Sequence, residues 1–321
     1  MDTRRDFIKK GFALGAAFSL ADLSGLFNGD ANAQTDANVK HELLKGPDGK
    51  PYLIAVRDGD RVTMLNRAIE ALGGIGAFVK AGQTVLIKPN IGWDRTPDLC
   101  ANTHPSIVGR LTEMCLAAGA KEVNVFDHTC HPWEKAYANS GIKDAVEKAG
   151  GKMIPGNDEK YYREVAVSGA TGSLKTLKVH QLVLDSDVWF NVPVLKHHGG
   201  ATMTCAMKNH MGIIWDRGFW HKNDLHQCIA DFIRYTKRPN LNIVDAYAPM
   251  MRNGPQGKDT NDLLAGVNSL LASRDIVAVD AAASKILGHA NDGIGYVKIA
   301  AAANLGRCDL DKLQIERIKI G

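Results

Sequence analysis

Three lysines stand where a predicted strand ends or beside a glycine-rich turn, and we assign them as candidate catalytic residues: Lys88, Lys196 and Lys208. A lysine ammonium in such a position can pair with a carboxylate or a phosphate. A lysine at the start of a loop is also often merely solvated, so both interpretations stay open. The first interpretation predicts a site for a small anionic ligand.

Residues 191–212 form the segment that is richest in such groups. It follows a predicted strand, carries two lysines and three histidines, and contains two adjacent glycines that let the backbone approach a ligand closely. We expect a ligand-binding loop here, with the hydroxyls of Thr202 and Thr204 as further donors. The candidate cofactor-binding residues are Asn90, Gly199, Gly200 and Lys208.

Histidines and carboxylates near the predicted strand ends could hold a divalent metal ion. The candidate ligands are His104, Asp127, His128 and His198. The alternative is that these imidazoles hydrogen-bond to loop backbone. The six cysteines show no C-x-x-C spacing, so the chain lacks a ferredoxin-type iron–sulfur motif, and no His-Glu-x-x-His occurs. The identity of any cofactor is therefore left unknown by the sequence.

The elements that position these residues alternate between short apolar runs and helical patterns, which favours an α/β fold. We predict strands at residues 52–56, 84–87, 122–126, 188–192, 241–244, 269–273 and 313–318. We predict helices at residues 62–72, 106–118, 133–138, 143–149, 223–235, 276–287 and 296–303. The expected architecture is a largely parallel sheet flanked by helices in a single large domain, with room for a small insertion at residues 150–185.

Open α/β sheets bind ligands beyond the carboxyl ends of their strands. Polar residues follow several of the predicted strands in this chain, so we expect them to face one common cleft. The residues expected around that cleft are Lys88, Asn90, His104, Asp127, His128, Lys196, His198 and Lys208.

Several short motifs resemble the domain of unknown function 362 family. They are Lys88-Pro89-Asn90, Thr103-His104-Pro105, Val192-Pro193-x-Leu195-Lys196-x-His198, Lys208-Asn209-x-Met211-Gly212 and the run from Ala272 to Asp280. The resemblance extends from about residue 52 to residue 318. Some members of that family carry an added ferredoxin-like segment, which this chain lacks, so the resemblance implies no iron–sulfur role here.

The stretch from His198 to Gly212 is also similar to the cofactor-holding region of nickel-pincer lactate racemases. That similarity implies a cofactor anchored by Lys208 and a metal bound by His198.

Composition restricts the class of partner. Hydrophobic residues make up 45% and charged residues 23% of the chain, and the formal net charge is +4, as in ordinary globular proteins. Basic residues do not cluster with aromatic ones, which argues against nucleic acid as a partner. No apolar run after the N-terminal segment reaches the length of a membrane span, so we expect none in the mature protein.

The first 33 residues resemble a twin-arginine export signal. Arg4 and Arg5 precede a mildly apolar stretch, and Ala31 and Ala33 supply the small residues that a signal peptidase requires, with Gln34 as the expected mature start. We therefore predict a signal peptide at residues 1–33, an extension at 34–51 and one α/β domain at 52–321. The resemblance implies the twin-arginine translocase as a partner and a periplasmic location.

Two classes of function fit these patterns. We favour an exported metal- or cofactor-dependent enzyme, an oxidoreductase or an isomerase, that acts on a small anionic substrate. The alternative is a non-catalytic ligand-binding or assembly protein for an exported redox system.

Overall fold

The computed structural model describes residues 52–235 and 237–321. The predicted signal peptide at 1–33 and extension at 34–51 lie outside this range. Within it, the strands are β1 (Leu53–Arg57), β2 (Thr84–Pro89), β3 (Glu122–Val125), β4 (Lys152–Met153), β5 (Tyr162–Ala166), β6 (Thr176–His180), β7 (Val188–Val192), β8 (Val194–His198), β9 (Thr202–Thr204), β10 (Leu241–Met250), β11 (Ser269–Ser273) and β12 (Ile315–Lys319).

The α-helices are mostly short, and several begin at a residue whose side chain caps them. They are α1 (Arg61–Ala71), α2 (Pro105–Ala117), α3 (Trp133–Asn139), α4 (Ile142–Lys148), α5 (Gln181–Asp185), α6 (Ala206–Asn209), α7 (Arg217–Lys222), α8 (Leu225–Phe232), α9 (Ile276–Ile286) and α10 (Gly295–Ala302). Asp60 caps α1 by accepting the backbone N–H of Val62 and Thr63, and Asp275 caps α9 in the same way.

The strands form a ten-stranded sheet in the described residues. Its main path runs β12–β1–β11–β10–β7–β2–β3–β4, and β8 pairs with both β10 and β9. Along this path only β11 runs antiparallel to its neighbours, so the predicted largely parallel α/β sheet is confirmed. Residues 162–180 add a separate two-stranded sheet from β5 and β6, within the region 150–185 where the sequence leaves room for a small insertion.

Both faces of the sheet are buried, which explains the continuous apolar runs in its central strands. On β7, Val188, Phe190 and Val192 face one hydrophobic cluster, whereas Trp189 faces the other. Helices α1 and α2 cover the first face, and α8, α9 and α10 cover the second. This packing fixes the strand ends on which the polar residues lie. No helix of the described residues has both the length and the apolar character to cross a bilayer.

Candidate functional site

A cavity of about 460 Å³ opens at the carboxyl ends of β2 and β3, beside β8 and α6. Six of the eight residues expected around a common cleft line it: Asn90, Asp127, His128, Lys196, His198 and Lys208. Residues more than 100 positions apart thus meet at one edge of the sheet, as expected for parallel strands. Lys88 lies directly beneath the cavity, and His104 lies outside it.

Lys88 forms a buried ion pair under the cavity floor. Its side chain is 0% exposed, and its Nζ atom lies 2.9 Å from Asp127 Oδ1 and donates to Asn209 Oδ1 at 2.7 Å. Asp127 Oδ2 also accepts the backbone N–H of Ile91 at 2.7 Å. Burial lowers the pKa of Lys88, and the carboxylate of Asp127 opposes that shift. Lys88 therefore holds the floor of the cavity in place and does not reach its interior.

Lys196 is a buried lysine whose side-chain amine can be either protonated or neutral near pH 7. Its side chain is 1% exposed. Its Nζ donates to Asn90 Oδ1 at 2.8 Å and to the carbonyl oxygen of Ala101. Burial lowers the pKa of Lys196 to about 7, and the nearby Lys208 and Lys88 ammonium groups act in the same direction. Such a pKa suits a group that both takes and returns protons at physiological pH.

Lys208 places a nearly buried ammonium in the cavity without a carboxylate partner in the described part of the chain. Its side chain is 9% exposed, and its Nζ donates to the thioether sulfur of Met211 at 3.3 Å, which is a weak acceptor. Burial lowers its pKa to about 8, and Arg217 and Lys88 contribute to the shift. The buried hydroxyl of Thr204 also lines the cavity and has no hydrogen-bond partner among the described residues. These groups can be satisfied by an anionic ligand.

Arg217 and Cys130 complete the cavity, although the sequence predicts neither as a site residue. Arg217 Nη1 donates to the carbonyl of His128 and Nη2 to that of Thr129, each at 2.8 Å, and Nη1 lies 3.3 Å from Cys130 Sγ. These bonds fix a guanidinium beside an exposed thiol. Cys130 could have been identified from its place shortly after β3, but Arg217 lies on α7 and follows no strand.

Positive charge prevails around the cavity. The lining cations are Lys208 and Arg217, joined by Lys196 when its amine is protonated, whereas the Asp127 carboxylate is paired with Lys88. Asp216, the other lining carboxylate, is exposed and caps α7 by accepting the backbone N–H of Phe219 at 3.0 Å. The excess of cations favours an anion as the ligand.

A row of buried amides connects the site to the centre of the sheet. Asn209 accepts from Asn90 Nδ2 at 3.1 Å and donates to Asn191 Oδ1 at 2.8 Å, and Asn191 donates to Asn242 Oδ1 at 2.9 Å. Each amide thus holds the next in one orientation. Because Asn209 also accepts from Lys88, the row positions both Asn90 and the buried ion pair.

Gly212 is a glycine at which the backbone closely approaches buried side chains. A Cβ atom at Gly212 would lie 1.8 Å from Asp127 Oδ1 and 2.5 Å from Lys88 Nζ. Gly199 and Gly200 instead occupy the exposed turn between β8 and β9, outside the cavity lining. The expected ligand-binding loop at this point is a hairpin, in which these two glycines serve the turn.

The four predicted metal ligands do not converge on one point. The described residues contain no group of three or more His, Cys, Asp or Glu side chains that could hold a metal ion. His104 caps α2, with Nδ1 accepting the backbone N–H of Ser106 at 3.3 Å, and Asp127 is committed to Lys88. His128 Nδ1 lies 2.9 Å from the carbonyl oxygen of Ile214, which leaves Nε2 available to a ligand.

The imidazole of His198 is oriented by the hairpin turn. Its Nδ1 accepts the backbone N–H groups of Gly200 at 3.0 Å and Ala201 at 3.1 Å, so the neutral ring carries its proton on Nε2. Burial, together with the charges of Lys208 and Lys196, lowers the pKa of His198 and keeps the ring neutral. This tautomer presents a donor to the cavity, which conflicts with the metal-binding role that the lactate racemase similarity implies.

Comparisons with known proteins identify relatives of low sequence identity. A thylakoid-associated protein from Synechocystis sp. is 27% identical over 236 residues, which cover 71% of this chain and 70% of that protein. A structural-genomics target from Thermotoga maritima matches with a TM-score of 0.46 at 13% identity over 72% of this chain. The lactate racemase apoprotein of Thermoanaerobacterium thermosaccharolyticum matches with a TM-score of 0.38 at 13% identity over 71% of this chain.

The match spans 59% of the Thermotoga protein and 55% of the racemase, less than two thirds of each. The family model described as "Domain of unknown function (DUF362)" matches residues 85–285, more than half of the chain. These residues include every lining residue of the cavity. The chain therefore belongs to the domain of unknown function 362 family.

Proposed function

We propose that this protein is an enzyme that binds a small anionic substrate and transfers protons through Lys196. One observation carries the proposal: the nearly buried Lys208 ammonium, in a cavity of cationic character, has only a thioether as acceptor among the described residues. A buried charge without a strong partner is costly. A carboxylate or phosphate in the cavity removes that cost.

Different residues of the cavity would bind the substrate and transfer its protons. Lys208 and Arg217 supply charge for the anionic group of the substrate, and the Thr204 hydroxyl can add a neutral hydrogen bond. Lys196, whose pKa is about 7, can accept a proton from a neighbouring substrate atom and return it. Asn90 holds Lys196 Nζ through a 2.8 Å hydrogen bond and thereby aims it. A cofactor with an anionic group, if bound, would be held through Lys208.

Calorimetric titration tests the binding part of this proposal. The probes are inorganic phosphate, acetate and malonate, added to the wild type, to Lys208→Met and to Lys135→Met, which alters an exposed lysine of α3. Loss of a charge that pairs with a bound anion typically costs about 2 to 5 kcal/mol. We expect Lys208→Met to weaken binding of the best probe by about 30-fold or more, with no change in Lys135→Met. Equal affinities in all three proteins would contradict the proposal.

Proton transfer is tested by exchange of substrate protons in D₂O. Short-chain 2-hydroxy and 2-oxo carboxylates are incubated with enzyme, and NMR follows loss of the C–H signal at C2 of the hydroxy acids and at C3 of the oxo acids. We expect exchange that is lost in Lys196→Met, while that variant still binds the anion. Binding of anions without exchange of any of these probes would favour the ligand-binding alternative.

We also propose that the protein is exported by the twin-arginine route and acts in the periplasm. The adjacent arginines at positions 4 and 5 and the small residues at 31 and 33 support this proposal.

A further inference from the structure

A second cavity of about 460 Å³ lies at the opposite edge of the sheet. Tyr52, before β1, and Pro239, before β10, line it together with Arg274 and Asp275, which follow β11. Strands β1 and β10 point the same way, because both are antiparallel to β11. Their amino ends therefore form this edge, and none of the residues that line the first cavity lines the second.

Four cations surround the second cavity: Lys237, Arg238, Arg274 and Arg307. The lining carboxylate, Asp275, is already engaged, since it accepts from the Tyr52 hydroxyl at 2.5 Å, from Arg307 N at 2.9 Å and from the first turn of α9. Arg307 is paired with Asp309, whereas Lys237 and Arg238 donate to the carbonyl oxygens of Ser186 and Leu305. Positive charge therefore prevails around this cavity, as at a site for an anion.

The inner wall of the cavity combines aromatic rings with unused polar atoms. Trp189 is 0% exposed, and its indole Nε1 has no hydrogen-bond partner in the described part of the chain. His210 is 4% exposed, and neither of its ring nitrogens is bonded there. Phe232 and Tyr235 stack with ring centroids 5.7 Å apart and also line the cavity. Buried donors of this kind normally find a partner.

We propose that this second cavity binds a small aromatic anion. The flat ring of the ligand would lie against the partly exposed ring of Tyr235, which stacks on the buried Phe232. Its acidic group would meet the cations at the rim. Aromatic walls with a few convergent polar groups, in a cavity of this volume, are typical of small-molecule sites. The proposal does not depend on the function assigned to the first cavity, because it rests on other residues.

Fluorescence titration of the full chain with 8-anilinonaphthalene-1-sulfonate, a flat ring system with one sulfonate, tests this proposal. We expect saturable binding that weakens about tenfold in the double variant Lys237→Ala/Arg238→Ala. The matched control is Lys143→Ala/Lys148→Ala, which removes two exposed lysines of α4 and should bind the probe like the wild type. Tyr235→Ala, which removes the partly exposed ring of the cavity wall, should also weaken binding several-fold.

Two competitors distinguish the sources of the aromatic anion: salicylate represents an aromatic carboxylate, and adenosine monophosphate a nucleotide. Displacement of the probe by either one supports the proposal and identifies the source. Lys208→Met should leave probe affinity unchanged, because Lys208 lies at the first cavity. Absence of saturable binding, equal affinity in the cavity variants and the wild type, or loss of binding in Lys208→Met alone would overturn the proposal.

Discussion

Three lysines from one neighbourhood have different environments, and the environment decides what each can do. Lys88 is paired with Asp127 and is held fully inside the protein. Lys196 is buried with neutral acceptors, so its pKa falls to about 7. Lys208 faces the cavity with a thioether as its acceptor. From the residue types alone all three are candidates for catalysis, whereas their surroundings separate a structural ion pair, a proton-transfer group and an anion-binding group.

The depressed pKa of Lys196 predicts how stability depends on pH. Its folded-state pKa of about 7 lies below the ordinary value of 10.5, so between these values the unfolded chain binds more protons. The contribution of Lys196 to stability therefore rises with pH from 7 to 10.5, by at most about 1.4 kcal/mol per pH unit. Below pH 7 both states are protonated and its contribution no longer changes.

Urea unfolding at pH 6, 7, 8 and 9 measures this effect as the difference between the wild type and Lys196→Met. We expect the difference to be constant from pH 6 to 7 and then to shift in favour of the wild type as pH rises. Parallel profiles over the whole range would show that Lys196 keeps its ordinary pKa in the folded protein.

At the scale of elements, the segment 206–213 separates the two cavities. Asn209, Met211 and Gly212 line or support the first cavity, whereas His210 and Ile213 line the second. Helix α6 is set in place by Asp280 on α9, which accepts the backbone N–H groups of residues 206 and 207. The segment can be short because hydrogen bonds from neighbouring elements hold it.

Gly212 in this segment should tolerate no side chain. The Cβ atom of Gly212→Ala would overlap the Lys88–Asp127 ion pair, so we expect a loss of about 2 kcal/mol or more in the free energy of unfolding. Gly199→Ala is the matched control, because a Cβ there meets no atom within 4 Å and should change stability by less than about 1 kcal/mol. Thermal unfolding measures both variants. Equal losses would contradict the packing described for Gly212.

The sequence predicts most elements of the fold because the spacing of apolar residues and the capping residues can be recognised within each segment of the chain. The predicted strand at 188–192 and helix at 276–287 match β7 and α9 to within one residue. Strand β10, however, continues from the predicted end at residue 244 to Met250, since beyond Asp245 it pairs with β8. The sequence predicts a loop where the β8–β9 hairpin lies, because residues 196–202 are mostly polar or glycine. Pairing between strands that are far apart in the sequence cannot be recognised from the residues of either strand alone.

The candidate site, like the sheet, can be predicted from the sequence only in part. Asn90, Asp127 and Lys196 can be identified from their places after predicted strands, because the carboxyl ends of parallel strands share an edge. Lys208, on α6, is identified from the lysine- and histidine-rich segment that contains it. Arg217 cannot be identified in this way, because it lies on helix α7 and follows no strand. Nor can the sequence show that the backbone at Gly212 closely approaches buried side chains, since that depends on where the Asp127 carboxylate lies.

At the scale of the whole molecule, the sheet presents two cationic cavities at opposite edges, and we propose that residues 1–33 direct the chain out of the cytoplasm. Replacing Arg4 and Arg5 with Lys should leave the precursor in the cytoplasm, because the twin-arginine signal is expected to require both guanidinium groups. Cell fractionation and immunoblotting measure the distribution. The control, Lys40→Gln, lies after the predicted cleavage site and should be exported normally. Periplasmic accumulation of the double arginine variant would contradict the proposed route.

Charge-dependent alkylation of Cys130 tests the central claim, an anion-binding cavity, most directly. Cys130 is the exposed cysteine of the six, and it lies in the cavity beside Arg217. Iodoacetate carries a negative charge and iodoacetamide does not, so cations around the cavity should favour iodoacetate. The measured quantity is the ratio of the two alkylation rates at Cys130, obtained by peptide mapping and compared with the ratio for free cysteine.

We predict a ratio of iodoacetate to iodoacetamide rates well above that of free cysteine. It should fall several-fold in Lys208→Met, remain unchanged in Lys135→Met and decrease when phosphate is added. A wild-type ratio equal to that of free cysteine, or one that Lys208→Met leaves unchanged, would contradict an anion-binding role for this cavity.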